Sequence, residues 1–192
     1  MTRATALNRD EIARAALAQL DEDGVAGFSV RRLADRLDCG TMSLYRHFEN
    51  RQELVSAVAE LLLAEPLGRA GRHRDWDGRL RGVAREIRDV AVAHPDAVTL
   101  VISTMPRGFL RHRIAEVLDL DRDGIPTEGQ RLLLATTLPF LLGWCLTESG
   151  PRARREQRGP GDTRLFADAL DVIIDGLRTR LGAEVSSTPS TG

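Results

Sequence analysis

The sequence predicts an all-α protein, with an N-terminal three-helix domain built round a helix-turn-helix and a larger helical domain after it. Three observations carry that prediction. Apolar residues recur at helical spacing, alanine and leucine abound, and no alternating run bounded by a hairpin turn offers a strand. The stretch from Ser29 to Phe48 divides into two short helical patterns about a turn at Asp38-Cys39-Gly40. From Leu132 to Leu146 no residue is charged, so a helix there is apolar on every side and needs cover on every side.

Met1 to Ala6 reads as a loose arm. The first helix opens at Asn8, with Glu11 completing a capping box and Leu7 and Ile12 placed for a hydrophobic staple; Gly24 ends it. Ser29 caps the next helix, whose inward positions are Val30, Leu33, Ala34 and Leu37, and Gly40 supplies the unusual backbone of the turn. The helix after the turn faces Leu44 and Phe48 inward. Its outward set is Thr41, Met42, Ser43, Tyr45, Arg46 and His47, a mixture of methyls, hydroxyls, an aromatic ring and a cation that suits a DNA major groove.

Asn50 and Glu53 repeat the capping pattern and start a helix to about Ala64, with Arg51 in its first turn, where helix N–H groups favour phosphate. Residues 65–74, punctuated by Pro66, Gly68 and Gly71, read as a linker. A long helix follows Asp75, with a stripe through Trp76, Leu80, Val83, Ala84, Ile87, Val90 and Ala91, and His94-Pro95 breaks it. Two shorter helices span about Asp96 to Ser103 and Pro106 to Leu118. The D-x-D-x-D-G run from Asp119 opens like a calcium loop, but Pro126 and Gln130 occupy its later apolar and glutamate positions; an acidic interhelical loop is the reading. Thr127 and Gln130 cap the charge-free helix, which Pro139 kinks. Ser149 to Asp162 is a Gly-, Pro- and Arg-rich loop, and Thr163 to about Leu181 is the last helix. The chain therefore divides into 1–51 and 52–182, with 183–192 a disordered tail.

The run SVRRLADRLDCGTMSLYRHF, followed by ENRQEL and preceded by DEIARAALAQLDEDGVAGF, resembles the DNA-binding region of the tetracycline-repressor (TetR) family of transcriptional regulators. DWDGRLRGVAREIRDVAVAHPDAV is similar, more loosely, to the tetracycline-type subgroup. The resemblance implies a homodimer reading an inverted-repeat operator of double-stranded DNA. It places Tyr45 and His47 on the DNA backbone, Arg31 on a base, and Arg51 where members often carry a phosphate-contacting lysine. Arg46 is the candidate for guanine O6 and N7, and Thr41 and Ser43 meet a thymine methyl or a phosphate.

A net charge of −1 neither favours nor excludes nucleic acid, since a reader needs only a local basic face. Every Lys/Arg position is arginine, so phosphate contacts fall to Arg, hydroxyls and backbone N–H groups. Two distant cysteines, no apolar leader and no bilayer-length apolar run point to a cytoplasmic protein without membrane contact.

In the second half, His94, Met105, Phe109, His112, Thr137, Phe140 and Trp144 either line an effector pocket or simply pack the core. An apolar lining suits a small hydrophobic effector, and no cluster matches the magnesium-chelated drug site of the tetracycline repressor. The last two helices are expected to form a four-helix interface between two copies. No cofactor or metal is expected. An enzyme is the rival class: His112 and Glu116 lie one turn apart, but no third ligand, nucleophile motif or phosphate loop accompanies them. A ligand-independent regulator or an activator shares the same DNA-binding half and stays open, with repressor the leading reading.

Overall fold

A computed structural model describes residues 7–149 and 163–186. The helices in chain order are α1 (Arg9–Gly27), α2 (Val30–Arg36), α3 (Thr41–Tyr45), α4 (Arg51–Ala70), α5 (Trp76–Ala93), α6 (Pro95–Thr104), α7 (Arg107–Leu118), α8 (Thr127–Ser149) and α9 (Thr163–Ser186). No strand occurs among the described residues. The expected arm at 1–6 and all of the expected Arg-rich loop but Ser149 lie outside them. Helix α9 runs on to Ser186 and takes in the first residues of the expected tail, the rest of which also lies outside.

The N-terminal half is folded by its caps. Asn8 Oδ1 accepts from Glu11 N at 2.9 Å while the Glu11 carboxylate accepts from Asn8 N at 3.1 Å, closing the capping box. Gly24 interrupts α1 at φ 70, and the turn from Val25 to Gly27 that follows is held from outside, Val25 N–H donating to Asp96 of α6 at 3.4 Å. Ser29 Oγ accepts from Arg32 N at 3.2 Å. The turn differs from expectation. Asp38, not Gly40, takes the left-handed conformation, at φ 48, while Gly40 sits at φ −75 as the N-cap of α3. Asp is among the few side chains that tolerate this region, so the glycine is not needed for it.

The expected linker at 65–74 is mostly helix. α4 continues to Ala70 with Pro66 inside it, because Leu62, Leu63, Pro66, Leu67 and Ala70 prolong one buried stripe. That packing outweighs the hydrogen bond Pro66 cannot donate. Gly82 of α5 permits the close crossing there, since a Cβ on it would lie 3.0 Å from the Ala70 Cα. The Thr127–Gln130 cap is also corrected: the Gln130 amide donates to Asp121 at 2.6 Å and to the Ile125 carbonyl at 2.9 Å. Both acceptors lie in the preceding loop, so the side chain ties that loop down instead of reaching back to a cap.

Two buried arginines organise the second half. Arg79, 1% exposed, donates to the carbonyls of Leu118 at 2.7 Å and Arg74 at 2.6 Å and pairs with Asp123. It thereby fastens the start of α5 to the end of α7 and the acidic loop, and it uses one of the aspartates that resembled calcium ligands. Arg88 pairs with Glu148, its guanidinium 5.4 Å from the Phe166 ring centre, joining α5 to α8 and α9.

Candidate DNA interface and effector cavity

Leu33 and Ala34 of α2, Leu44 of α3 and Phe48 just after it are buried in the core, which leaves the expected DNA-reading set on the outer surface. Met42 is 76% and Tyr45 44% exposed; Arg31, Arg46 and Arg51 are exposed, and Thr41, Ser43 and His47 half-buried. Arg46 donates to Ser43 Oγ at 3.2 Å, one turn back on α3, which holds the guanidinium along the outer face. Arg51, the first residue of α4, holds its guanidinium 5.4 Å from the Phe28 ring centre.

Charge is sorted on this domain. Arg32 pairs with Asp23 at 3.1 Å and Arg36 with Glu22 at 2.6 Å, and the Arg36 hydrogen bond holds the Glu22 carboxyl below its ordinary range. Arg31, Arg46 and Arg51 form no ion pair among the described residues, so the outer face keeps three unneutralised cations.

Arg9 went unnoticed in the sequence. It pairs with Glu53 at 2.7 Å, donates to the His47 carbonyl and lies 4.5 Å from the Phe48 ring centre. One side chain thus holds the start of α1, the end of the reader helix and the start of α4 in register. Its partners are 38 or more positions away, and no local pattern marks such a contact. Glu53, whose carboxylate accepts from Glu49 N at 2.5 Å, is held below its ordinary pKa by that bond and by Arg9. Asn50 Oδ1 accepts from Glu53 N at 2.9 Å, so the second box forms shifted by one residue.

The expected effector residues do not converge. His112 projects outward, its side chain 76% exposed, and pairs with Glu116 at 3.3 Å; the charged flank of α7 carries it away from the core. His94 Nδ1 sits 2.9 Å from Asp21 of α1, at the junction of the two halves. Thr137 is buried but its hydroxyl turns back to the Leu133 carbonyl at 2.7 Å. Phe140 and Trp144 pack on Phe166 with ring centres 5.8 and 5.3 Å apart, and Trp144 donates to Glu148 at 3.1 Å. Phe109 is half-buried against the core.

Aliphatic residues surround the hollow instead. An inner cavity of about 30 Å³, room for little more than a water, lies between Leu62 of α4, Ile87 of α5, Val101 of α6, Ile114 of α7 and Leu141 and Cys145 of α8. Burial pushes the Cys145 thiol up to about 12, with Glu148 adding to the shift. Ile102, Leu110, Leu138 and Leu142 also line an outer cleft of about 380 Å³, together with Met105, Pro106, Arg111 and Pro139. Met105 is the one expected residue that borders either space. Leu, Ile and Val at helical spacing look alike whether they pack solidly or leave a gap, so these residues carried no signal. No group of three or more His, Cys, Asp or Glu converges among the described residues to hold a metal.

A helix-turn-helix with a bare cationic face, joined through α4 to a helical bundle holding an apolar hollow, defines a DNA-binding transcriptional regulator. A family profile described as "Bacterial regulatory proteins, tetR family" matches residues 12–58. The chain is 31% identical to the tetracycline repressor protein class A from transposon 1721 of Escherichia coli, over 92% of this chain and 93% of that one. Among solved structures, a TetR variant from Acinetobacter baumannii AYE in complex with minocycline is similar at TM-score 0.75 and 27% identity, covering 91% of this chain and 98% of that one. BioQ with its natural double-stranded DNA operator is similar at TM-score 0.69 and 28% identity, covering 89% and 98%. The chain belongs to the TetR family of bacterial regulatory proteins. No helix among the described residues is long and apolar enough to cross a membrane.

Proposed function

We propose that the protein is a homodimeric repressor that leaves an inverted-repeat operator when a small, largely apolar effector enters the second half. The observation that carries this reading is the paired hollow: an outer cleft of about 380 Å³ sharing four aliphatic residues with an inner cavity. Leu62 and Leu63 of α4 border the inner cavity, and Arg51 opens the same helix. A ligand that widens the cavity shifts α4 and, through Arg9 and Glu53, the reader helices of both subunits. The roles follow: Arg46 and Arg31 for bases, Arg51, Tyr45 and His47 for phosphates, Thr41, Met42 and Ser43 for groove contacts. Residues 1–51 form the DNA-binding unit and 52–182 the regulatory unit. The relatives above are consistent with both ligands, one being bound to minocycline and another to an operator.

The dimer rests on a second surface. Along α9, Leu165, Val172 and Gly176 are exposed on one face; along α8, Thr136, Pro139, Gly143 and Leu146 are, and none of these carries charge. A Cβ at Gly143 or Gly176 would meet nothing within 4 Å, so a partner helix has room to approach closely.

Selection of bound DNA from a random duplex library tests the reading. An enriched inverted repeat, bound by a species sedimenting as a dimer, is expected, and Val172→Glu should yield monomers with weak operator binding. A single enriched half-site bound by monomer would refute it. An operator complex that no apolar compound releases would instead favour the ligand-independent regulator.

A further inference from the structure

A second cleft, of about 320 Å³, lies between α5 and α9, away from the aliphatic hollow. Its floor is Phe166, Ala167 and Leu170, and α5 supplies Arg81, Arg85, Arg88 and Asp89 to its wall. Two of these arginines are already matched. Arg81 pairs with Asp77 at 2.8 Å and with Asp171, across the cleft, at 2.9 Å, and Arg88 pairs with Glu148. Arg85 and Asp89 form neither a hydrogen bond nor an ion pair among the described residues. The charged neighbours in reach of them are engaged elsewhere: Glu86 is held by Arg69 at 2.5 Å, and Arg88 by Glu148.

The cleft therefore presents one available cation and one available anion, a helical turn apart, above an apolar floor. Residues at that spacing are neighbours on one helix face, so one small zwitterion can meet both side chains at once. We infer that this cleft binds a free α-amino acid with an aliphatic side chain, its carboxylate on Arg85, its ammonium on Asp89 and its side chain on Phe166 and Leu170. A simple organic acid would leave Asp89 without a cation, and a simple amine would leave Arg85 without an anion. The zwitterion matches both charges. Because α5 packs on α4 and α9 carries the proposed dimer face, an amino acid bridging α5 and α9 would act as a co-effector separate from the apolar ligand.

L-Leucine is the probe, with 4-methylpentanoate (no ammonium) and L-leucinamide (no carboxylate) as comparators, titrated calorimetrically against the full chain without DNA. The readout is independent of the repressor reading, and each can fail alone. Leucine should bind at least about fivefold more tightly than either comparator, the scale of losing one charge-assisted hydrogen bond. Arg85→Gln should abolish the preference over leucinamide alone, and Asp89→Asn the preference over 4-methylpentanoate alone. Equal binding of the three compounds, no leucine binding up to about 10 mM, or wild-type preferences in both variants would overturn the inference.

Discussion

Replacing Arg51 by alanine separates a phosphate contact from surface decoration, and its magnitude follows from position. Arg51 is the first residue of α4, exposed, and free of any ion pair among the described residues. If its guanidinium neutralises one phosphate per subunit, a dimer loses two contacts, and each contributes about 0.9 to the slope of log K against log salt. The slope should then fall by about 1.8, with affinity down about sixtyfold near 0.1 M salt and about tenfold near 0.3 M. The loss should be the same on operator and on unrelated duplex. Arg46→Ala should behave oppositely, keeping the slope while discrimination at one base pair falls by about 1–3 kcal/mol. Fluorescence anisotropy on labelled duplexes across a salt series measures both. Losing the Phe28 contact costs Arg51→Ala only about 0.5–1 kcal/mol of stability, so the variant stays folded. A wild-type salt slope in Arg51→Ala would refute the phosphate assignment, whatever happened to the absolute affinity.

Arg79→Met should lower stability by about 3–5 kcal/mol, because it strips a buried cation from the Leu118 carbonyl and Asp123. At fixed protomer concentration the melting temperature should fall about 10 °C, and adding Asp123→Asn should recover part of it. Acid should weaken the fold in a definite window. The Arg69 hydrogen bond holds Glu86 below its ordinary 4.5, so this stabilisation is complete above that value and vanishes as pH falls through the depressed one. Glu86→Gln should accordingly flatten the stability profile between about pH 5 and pH 3 in urea titrations. In the native protein at about pH 8, an aromatic disulfide reagent should modify half-buried Cys39 and spare Cys145, whose thiol burial keeps protonated; equal rates at both would contradict that burial.

What could be read in the sequence divides by the distance over which each interaction acts. The Asn8–Glu11 box and the Ser29 cap were legible because donor and acceptor lie three residues apart and only the helix start decides the geometry. The exposed side of α3 was legible for a related reason: Leu44 and Phe48 are buried, and the side opposite them is left outward. The same rule misled at Gln130, where spacing offered a cap but the loop offered two better acceptors, Asp121 and the Ile125 carbonyl. It misled again at Pro66, where the missing donor costs less than the apolar stripe regains. Arg79 and Arg88 were invisible, because an arginine inside an amphipathic pattern reads as solvated unless its partners, here 39 and 60 positions on, are known. The polar and aromatic residues expected to bind an effector do not gather round one cavity, for the converse reason. His94, Thr137, Trp144 and His112 each found a polar partner within the fold, and a satisfied polar group has no cause to face a cavity. The hollow was left to aliphatic side chains, which have no such partners to find. The residues that look most functional in this sequence are therefore the ones the fold has already paired, and the hollow is lined by what remains.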